Sequence, residues 1–176
     1  VHTIHVAGSQ NGWERPEFSR DERLLTSRRT KLTLRVPRER AEEIGQQLHG
    51  KQLRLENCEV TIGKAKEKEL SKQGTIFSRY VQCLPEEEEM AFLERMAGEL
   101  QQHGIRIKKA LCGKATMVYT PEGEVATRSL MLADLRHDES LLLQEVGLGP
   151  GREMGLGIFI PHKGIEAVKK LDDEKE

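Results

Sequence analysis

The sequence predicts an α+β protein of two halves wired alike, the β-α-β-β-α-β order of ferredoxin-like domains, with the first half lacking its leading strand and helix. Three observations lead there. Stretches of period-two apolar residues alternate with stretches of helical period along most of the chain. A lysine-rich segment, Gly63–Gly74, divides these elements into two sets. The second set then reads strand, helix, strand, strand, helix, strand, ending after a glycine-dense turn. The boundaries that follow are an N-terminal partial domain over 1–63, a linker over 64–74, a C-terminal domain over 75–164 and an acidic tail over 165–176.

Each element rests on its own pattern. Ile4 and Val6 suit a short strand, and the polar stretch Gly8–Ser27 with its lone Trp13 reads as a long loop. Lys31–Val36 alternates, so Leu32, Leu34 and Val36 are expected to face a core. Pro37 fits a first helical position. Ala41, Ile44 and Leu48 continue the helix and Gly50 ends it. Leu53–Ile62 reads as one strand with a bulge near Asn57. In the second half, Thr75–Cys83 is a strand. Pro85 and four glutamates open a helix whose buried stripe is Leu93, Met96, Ala97 and Leu100, capped by Gly104. Ile105–Leu111 is a basic strand. Met117–Thr120 and Val125–Leu132 flank a turn at Pro121-Glu122-Gly123. Asp138 is expected to cap a helix carrying Leu141, Leu142 and Val146. Ile158-Phe159-Ile160 is the closing strand, which Pro161 stops.

Composition narrows the function classes. The chain has 176 residues, 32% charged and 4% aromatic, so its core is aliphatic. Net charge is −1, which excludes a uniform basic field as the basis of attraction. Three separated cysteines, Cys58, Cys83 and Cys112, point to reduced thiols in a cytoplasm, not a disulfide frame. There is no apolar run of about 20 residues for a membrane span and no signal peptide. Charge is local: Leu100–Pro121 holds Arg106, Lys108, Lys109 and Lys114 with no acid, while acids gather at Glu86–Glu89 and Asp172–Glu176. Such patches can hold a polyanion on one face, although for any single patch the solvated face of an ordinary element is the better explanation. Metal catalysis is disfavoured. His2 and His5 are the only close histidine pair, and neither Cys-x-x-Cys nor His-Glu-x-x-His occurs.

The most informative stretch is Gly147-Leu148-Gly149-Pro150-Gly151-Arg152-Glu153-Met154-Gly155-Leu156-Gly157: two Gly-Leu-Gly units five residues apart, with an arginine between them. Bare amides beside a guanidinium are suited to phosphate. A Walker loop is excluded because Gly63-Lys64 and Gly113-Lys114 are each followed by alanine. A dinucleotide loop is excluded because the order here is helix, loop, strand. The plain alternative is a flexible surface turn.

That loop, with Glu139–Glu145 leading into it and Phe159-Ile160-Pro161-His162-Lys163-Gly164 after it, resembles the RAMP superfamily of CRISPR-associated proteins, and within it the repeat-RNA endoribonuclease that processes precursor CRISPR RNA. Ile4-His5 and the Leu32–Pro37 step add to the likeness, which spans roughly Ile4 to Gly164. The resemblance implies a prokaryotic, cytoplasmic, metal-independent nuclease with no cofactor, acting in antiviral defence. It implies the CRISPR RNA repeat hairpin as ligand, and other subunits of a type I effector complex (Cascade) as partners. It places Gly147, Gly149, Gly151, Gly155 and Gly157 against RNA with Arg152 on phosphate. Arg106, Lys108, Lys109, Lys114 and Arg128 on the strands, and His162 and Lys163 after the last one, add RNA contacts.

The implied chemistry is transesterification. A base takes the proton of a ribose 2′-OH, which attacks the adjacent phosphorus; an acid protonates the leaving 5′-oxygen; cations hold the added charge. The product is a 2′,3′-cyclic phosphate. Histidine suits the proton transfers, yet the catalytic histidine of many relatives lies in the leading strand-helix unit that this chain lacks. His2 and His5, beside that gap, are the candidates for the base, with an ordinary strand position as the competing reading of each. His49 and His103 end helices, where a cation is favoured. Enzymatic activity is thus conditional on that unit. A non-catalytic RNA-binding subunit of the same complex is the alternative, and a ferredoxin-like module for a small ligand or protein partner is the third reading.

Overall fold

The computed structural model describes residues 1–2, 31–55 and 58–163. The strand expected at Ile4–Val6, the loop around Trp13, His5 and the acidic tail lie outside the described residues. The chain divides into two compact units, Leu34–Leu70 and a larger one formed by Ser71 onward with the segment before Leu34.

In the smaller unit a 3-10 turn, Arg38–Arg40, runs into helix α1, Ala41–Leu48. Pro37 sits just before the turn with φ −56° and ψ 141° instead of inside the helix. Glu42 and Glu43 occupy the first helical turn, where negative charge is favoured, and accept hydrogen bonds from Gln46 (3.2 Å) and Gln47 (2.8 Å) one turn on. Strands β1, Gln52–Leu55, and β2, Cys58–Thr61, follow as an antiparallel pair with Leu55 opposite Cys58. The single strand expected over Leu53–Ile62 is therefore two antiparallel strands, and the bulge expected near Asn57 lies outside the described residues. Among the described residues Lys31–Val36 pairs with no strand, and Leu32 is 39% exposed. Alternation yields a strand only where a neighbour supplies the ladder. Among the described residues, the His2 amide donates to the Thr33 carbonyl of this stretch (3.0 Å).

The larger unit is an antiparallel sheet with two helices. Its elements are β3 (Ile76–Gln82), α2 (Glu89–Gln102), β4 (Lys109–Cys112), β5 (Thr116–Thr120), β6 (Gly123–Ala133), α3 (His137–Val146) and β7 (Ile160–Pro161). The strand order is β4-β6-β3-β7, with β5 also paired to β6. Each helix thus connects two strands that have another between them, the interleaving that the β-α-β-β-α-β order predicts for this half, with β5 as an added strand. Helix α2 packs Phe92, Met96 and Leu100 on Ile76, Val81, Leu130 and Leu132 of β3 and β6. Its stripe is rotated from the expected one: Phe92 is fully buried while Leu93 and Ala97 are half-buried. The largest apolar side chain on that side sets the rotation.

Helix α2 also begins four residues beyond Pro85. The Glu87 carboxylate turns back to accept the Leu84 amide (3.0 Å) and pairs with Arg95 at 2.8 Å, so Pro85–Glu88 forms a folded lead-in, with Glu86 at φ +58°. The helix ends at His103, and Gly104 follows at φ +73°, as expected of a glycine stop. Strand β4 is shorter than predicted; Ile105 is a buried anchor ahead of it. Helix α3 is capped not by Asp138 but by Arg136, whose amide donates to Glu139 (2.8 Å). Its buried face is Glu139, Ser140, Leu143 and Gln144, with Leu141, Leu142 and Val146 only half-buried. Pro161 does not stop β7 but closes it, opposite Ile76. A proline is tolerated there because the strand is an edge.

Ser140 and Gln144 face inward because they bind chain, not sheet. Gln144 accepts the Ser71 amide (3.2 Å) and donates to the Ser71 carbonyl (2.6 Å), and Ser140 donates to the Gln73 carbonyl (2.6 Å). The Leu135 amide bonds the Gly74 carbonyl (3.0 Å), and a Cβ at Gly74 would stand 2.6 Å from the Leu135 oxygen. Residues 71–74 are thereby fastened along α3.

Candidate nucleic-acid interface

The loop after α3 is more tightly folded than its glycine count suggests. Its two Gly-Leu-Gly units lie side by side, joined by the Leu148 amide donating to the Gly157 carbonyl (3.1 Å). Leu148 (3% exposed) and Leu156 (1%) are plugs turned into the protein. This explains the repeated pattern: each unit buries one leucine and keeps small residues where backbones touch. Gly157, at φ +63°, donates to the Tyr80 carbonyl on β3 (2.6 Å), and a Cβ there would lie 1.9 Å from the Leu148 oxygen. Gly147, at φ +71°, caps α3 by donating to the Leu143 carbonyl (2.9 Å).

The expected array of bare amides is consequently narrower. The Met154 and Leu156 amides both bond the Gly151 carbonyl (3.0 Å each), and Gly155 donates to Arg152 (3.1 Å) within a 3-10 turn. Among the described residues, the amides of Gly149, Gly151, Arg152 and Glu153 meet no backbone acceptor, so the anion-facing part of the loop is its tip. Pro150 and Glu153 are exposed there. Arg152 folds back: its guanidinium donates to the Glu145 carbonyl at the end of α3, where a cation complements the helix dipole. Its Cδ and Nε fill the space a Gly147 side chain would take.

Other predicted cations are distributed unevenly. Arg106, Lys108 and Lys114 are exposed and form no ion pair among the described residues. Lys109 pairs with Asp134 at 3.0 Å. Arg128 lies opposite Val81, at the same end of β3 as Gly149, but its guanidinium ties two loops together through the Gly113 (2.9 Å) and Glu87 (2.7 Å) carbonyls. His162 stands at the other end of β3, its amide on the Thr75 carbonyl (3.0 Å) and its ring 5.7 Å from that of Phe77; it is exposed, as is Lys163. At roughly 3.3 Å per strand residue, about 17 Å of β3 separates His162 from the loop.

Among the described residues of the larger unit, His137 and His162 stand at the ends of α3 and β3 away from the loop. His2 is half-buried near Thr33, and His49, His103 and His137 are exposed at helix ends. Burial pushes the Cys83 and Cys112 thiols upward, which disfavours their thiolates. The strongest electrostatic feature is one that sequence reasoning missed. Hydrogen bonds from Arg95 hold the Glu87 carboxyl below its ordinary range, and the same bonds raise Arg95. The sequence signal was the position of one glutamate and one arginine eight residues apart, straddling a helix start. No helix among the described residues is long and apolar enough to cross a membrane.

Comparison with known proteins follows this geometry. A family profile described as Cas6 CRISPR matches residues 1–164. Similar solved structures include Thermus thermophilus Cse3 bound to an RNA representing a pre-cleavage complex, with TM-score 0.39 and 14% identity over 58% of each chain. Another is the CRISPR endoribonuclease Cse3 bound to a 19-nucleotide RNA, with TM-score 0.40 and 15% identity over 58% of this chain and 59% of that one. This chain thus spans less than two thirds of the length of those proteins. No curated protein matches it.

Proposed function

Because this chain belongs to the Cas6 CRISPR family, matched over residues 1–164, we propose that it binds CRISPR repeat RNA and acts in its processing as a metal-independent endoribonuclease. The observation that carries this reading is the loop. A base locked to β3 through Gly157 and Tyr80 presents a tip whose amides at Gly149, Gly151, Arg152 and Glu153 meet no backbone acceptor among the described residues, and the exposed cations Arg106, Lys108 and Lys114 flank β4. Fixed amides with diffuse positive charge suit an RNA backbone recognised by shape and phosphate.

In this proposal the C-terminal unit is one ferredoxin-like domain. The smaller unit, with residues outside the described set, belongs to a second, partial one. Gly147–Gly157 and Arg152 meet the backbone of the hairpin, with Arg152 exchanging the Glu145 carbonyl for phosphate. Arg106, Lys108, Lys109, Lys114, Arg128, His162 and Lys163 extend the contact. His5, with His2, supplies the base for attack by the 2′-OH, and a cytoplasmic type I effector complex retains the bound product. A second reading, a non-catalytic subunit that holds the hairpin, is favoured by one observation: His137 and His162 stand at the ends of α3 and β3 opposite to those that meet the loop.

Labelled repeat RNA incubated with the protein in EDTA separates the two. One cut leaving a 2′,3′-cyclic phosphate supports the nuclease. Tight binding with intact RNA supports the holding subunit. Absence of binding refutes both.

A further inference from the structure

The long strand β6 is flanked by two irregularities that meet at the same residue. On one side, Ser78 of β3 pairs with Leu130 and Val81 with Arg128, so Arg79 and Tyr80 face Ser129 alone. On the other side, Cys112 pairs with Leu130 and Thr116 with Thr127, so Gly113, Lys114 and Ala115 face Arg128 and Ser129. Each is a β-bulge, a device that re-aims side chains and is over-represented beside functional sites. The first bulge carries the glycine loop, because the Tyr80 carbonyl accepts the Gly157 amide (2.6 Å). The second carries Lys114, which is exposed. Lys114 therefore stands level with the anchor of the loop, two strand spacings or about 10 Å across the sheet. The other end of β4 is remote from this line: Lys109 pairs with Ala133, about 13 Å along β6 from Ser129.

The second bulge is pinned from within. The Gly113 amide donates to the Ser129 carbonyl (2.9 Å). Arg128 donates to the Gly113 carbonyl through Nη1 (2.9 Å) and to the Glu87 carbonyl through Nη2 (2.7 Å), while its Nε is buried. Glu87 is held in turn by Arg95 at 2.8 Å, so the far end of this clamp is fixed. A planar fork can bridge two carbonyls at set angles, and a lysine ammonium cannot reproduce that geometry. The guanidinium is thus turned into the protein, and the cation it leaves on the surface is Lys114.

We propose that Arg128 is a positioning residue: by clamping the Gly113–Ala115 bulge it keeps Lys114 level with the glycine loop, where both meet one phosphate backbone. The inference rests on the RNA-binding reading above. It narrows the part of Arg128 in that reading from direct contact to support of Lys114.

The test measures the salt dependence of repeat-hairpin binding by fluorescence anisotropy. It uses the full chain, Lys114→Ala, Arg128→Lys and the double variant, with thermal melts alongside. Lys114→Ala is expected to flatten the slope of log affinity against log salt by about one. Arg128→Lys keeps the charge but loses the fork, and is expected to flatten the slope equally. The double variant is expected to fall no further. Deletion of Ala115 is a second route: it keeps every charge, removes the extra residue of the bulge, and is expected to give the same flattening. A wild-type slope in Arg128→Lys or in the Ala115 deletion overturns the proposal, whatever the melts show. Additive losses in the double variant overturn it in favour of a direct contact by Arg128. An unchanged slope in Lys114→Ala, with the hairpin still bound, overturns it while the RNA reading stands. A wild type that binds no hairpin ends both.

Discussion

Alanine at Gly157 tests whether the closed base of the loop is what organises it. The added Cβ would sit 1.9 Å from the Leu148 carbonyl oxygen, which is fixed backbone, at φ +63°. Three costs follow. Left-handed backbone on an alanine costs about 1 kcal/mol. Separating the two Gly-Leu-Gly units breaks the bond from Leu148 to Gly157 (3.1 Å), and shifting Gly157 breaks its bond to Tyr80 (2.6 Å), each worth about 1 kcal/mol net. The sum is about 3 kcal/mol, or a melting point lower by roughly 6–12 °C for a chain of this size. Gly149→Ala is the matched comparison. It carries a similar φ of +71°, but its nearest neighbour, a Val81 methyl, is 3.9 Å away. It should cost only the backbone term, about 1 kcal/mol. Gly98→Ala, exposed within α2 with nothing inside 4 Å, should stabilise by up to about 1 kcal/mol. Thermal melts of the three variants, with amide exchange at Leu148, measure this. Equal destabilisation by the Gly149 and Gly157 variants, or retained protection of the Leu148 amide in Gly157→Ala, would refute the reasoning.

Further outcomes follow from other contacts. Arg152→Ala removes the cation from the end of α3 and should lower stability by about 1 kcal/mol, while reducing the salt slope of hairpin binding by about one; an unchanged slope would leave Arg152 as a helix cap alone. Arg95 holds Glu87 below its ordinary value of 4.5, so the folded chain takes up that proton less readily than the unfolded one. The stabilisation is complete above the unfolded value and is lost as pH falls through the folded one. Glu87→Gln should therefore be less stable than wild type at neutral pH and show a shallower loss on acidification; urea titrations across pH read both, and parallel curves would count against the pair. Gln144→Leu strands the Ser71 amide and carbonyl at a cost of about 1–3 kcal/mol, and trypsin should then cut at Lys72 markedly faster than in the wild type.

What could be read from the sequence depended on whether a residue's neighbours were local. The C-terminal strands and helices were legible because Ile76, Leu130 and Leu132 repeat with period two and Met96 and Leu100 with a helical one, and these periods record burial directly. Gly104 was legible as a helix end for the same local reason. Lys31–Val36 has no partner strand among the described residues, and alternation alone cannot reveal whether one lies alongside. The Leu53–Ile62 stretch was read as one strand because alternation on both sides of a break does not say whether the two pieces run on or pair with each other. The inward face of α3 was missed because Ser140 and Gln144 are buried by a segment 67 to 73 residues away in sequence, and polar residues give no apolar signal. At the site, the glycines were visible but their bonding was not. Their pattern reads as openness, whereas half of it makes room for Leu148 and Leu156.

The mutual closure of the two Gly-Leu-Gly units separates what holds the turn from what it shows to a ligand. The hinge-like pairs and their leucine plugs admit almost no substitution. Pro150 and Glu153, exposed between them, bear no part of that framework. Proteins sharing this frame can therefore acquire new preferences by changing those two side chains, without renegotiating the sheet beneath.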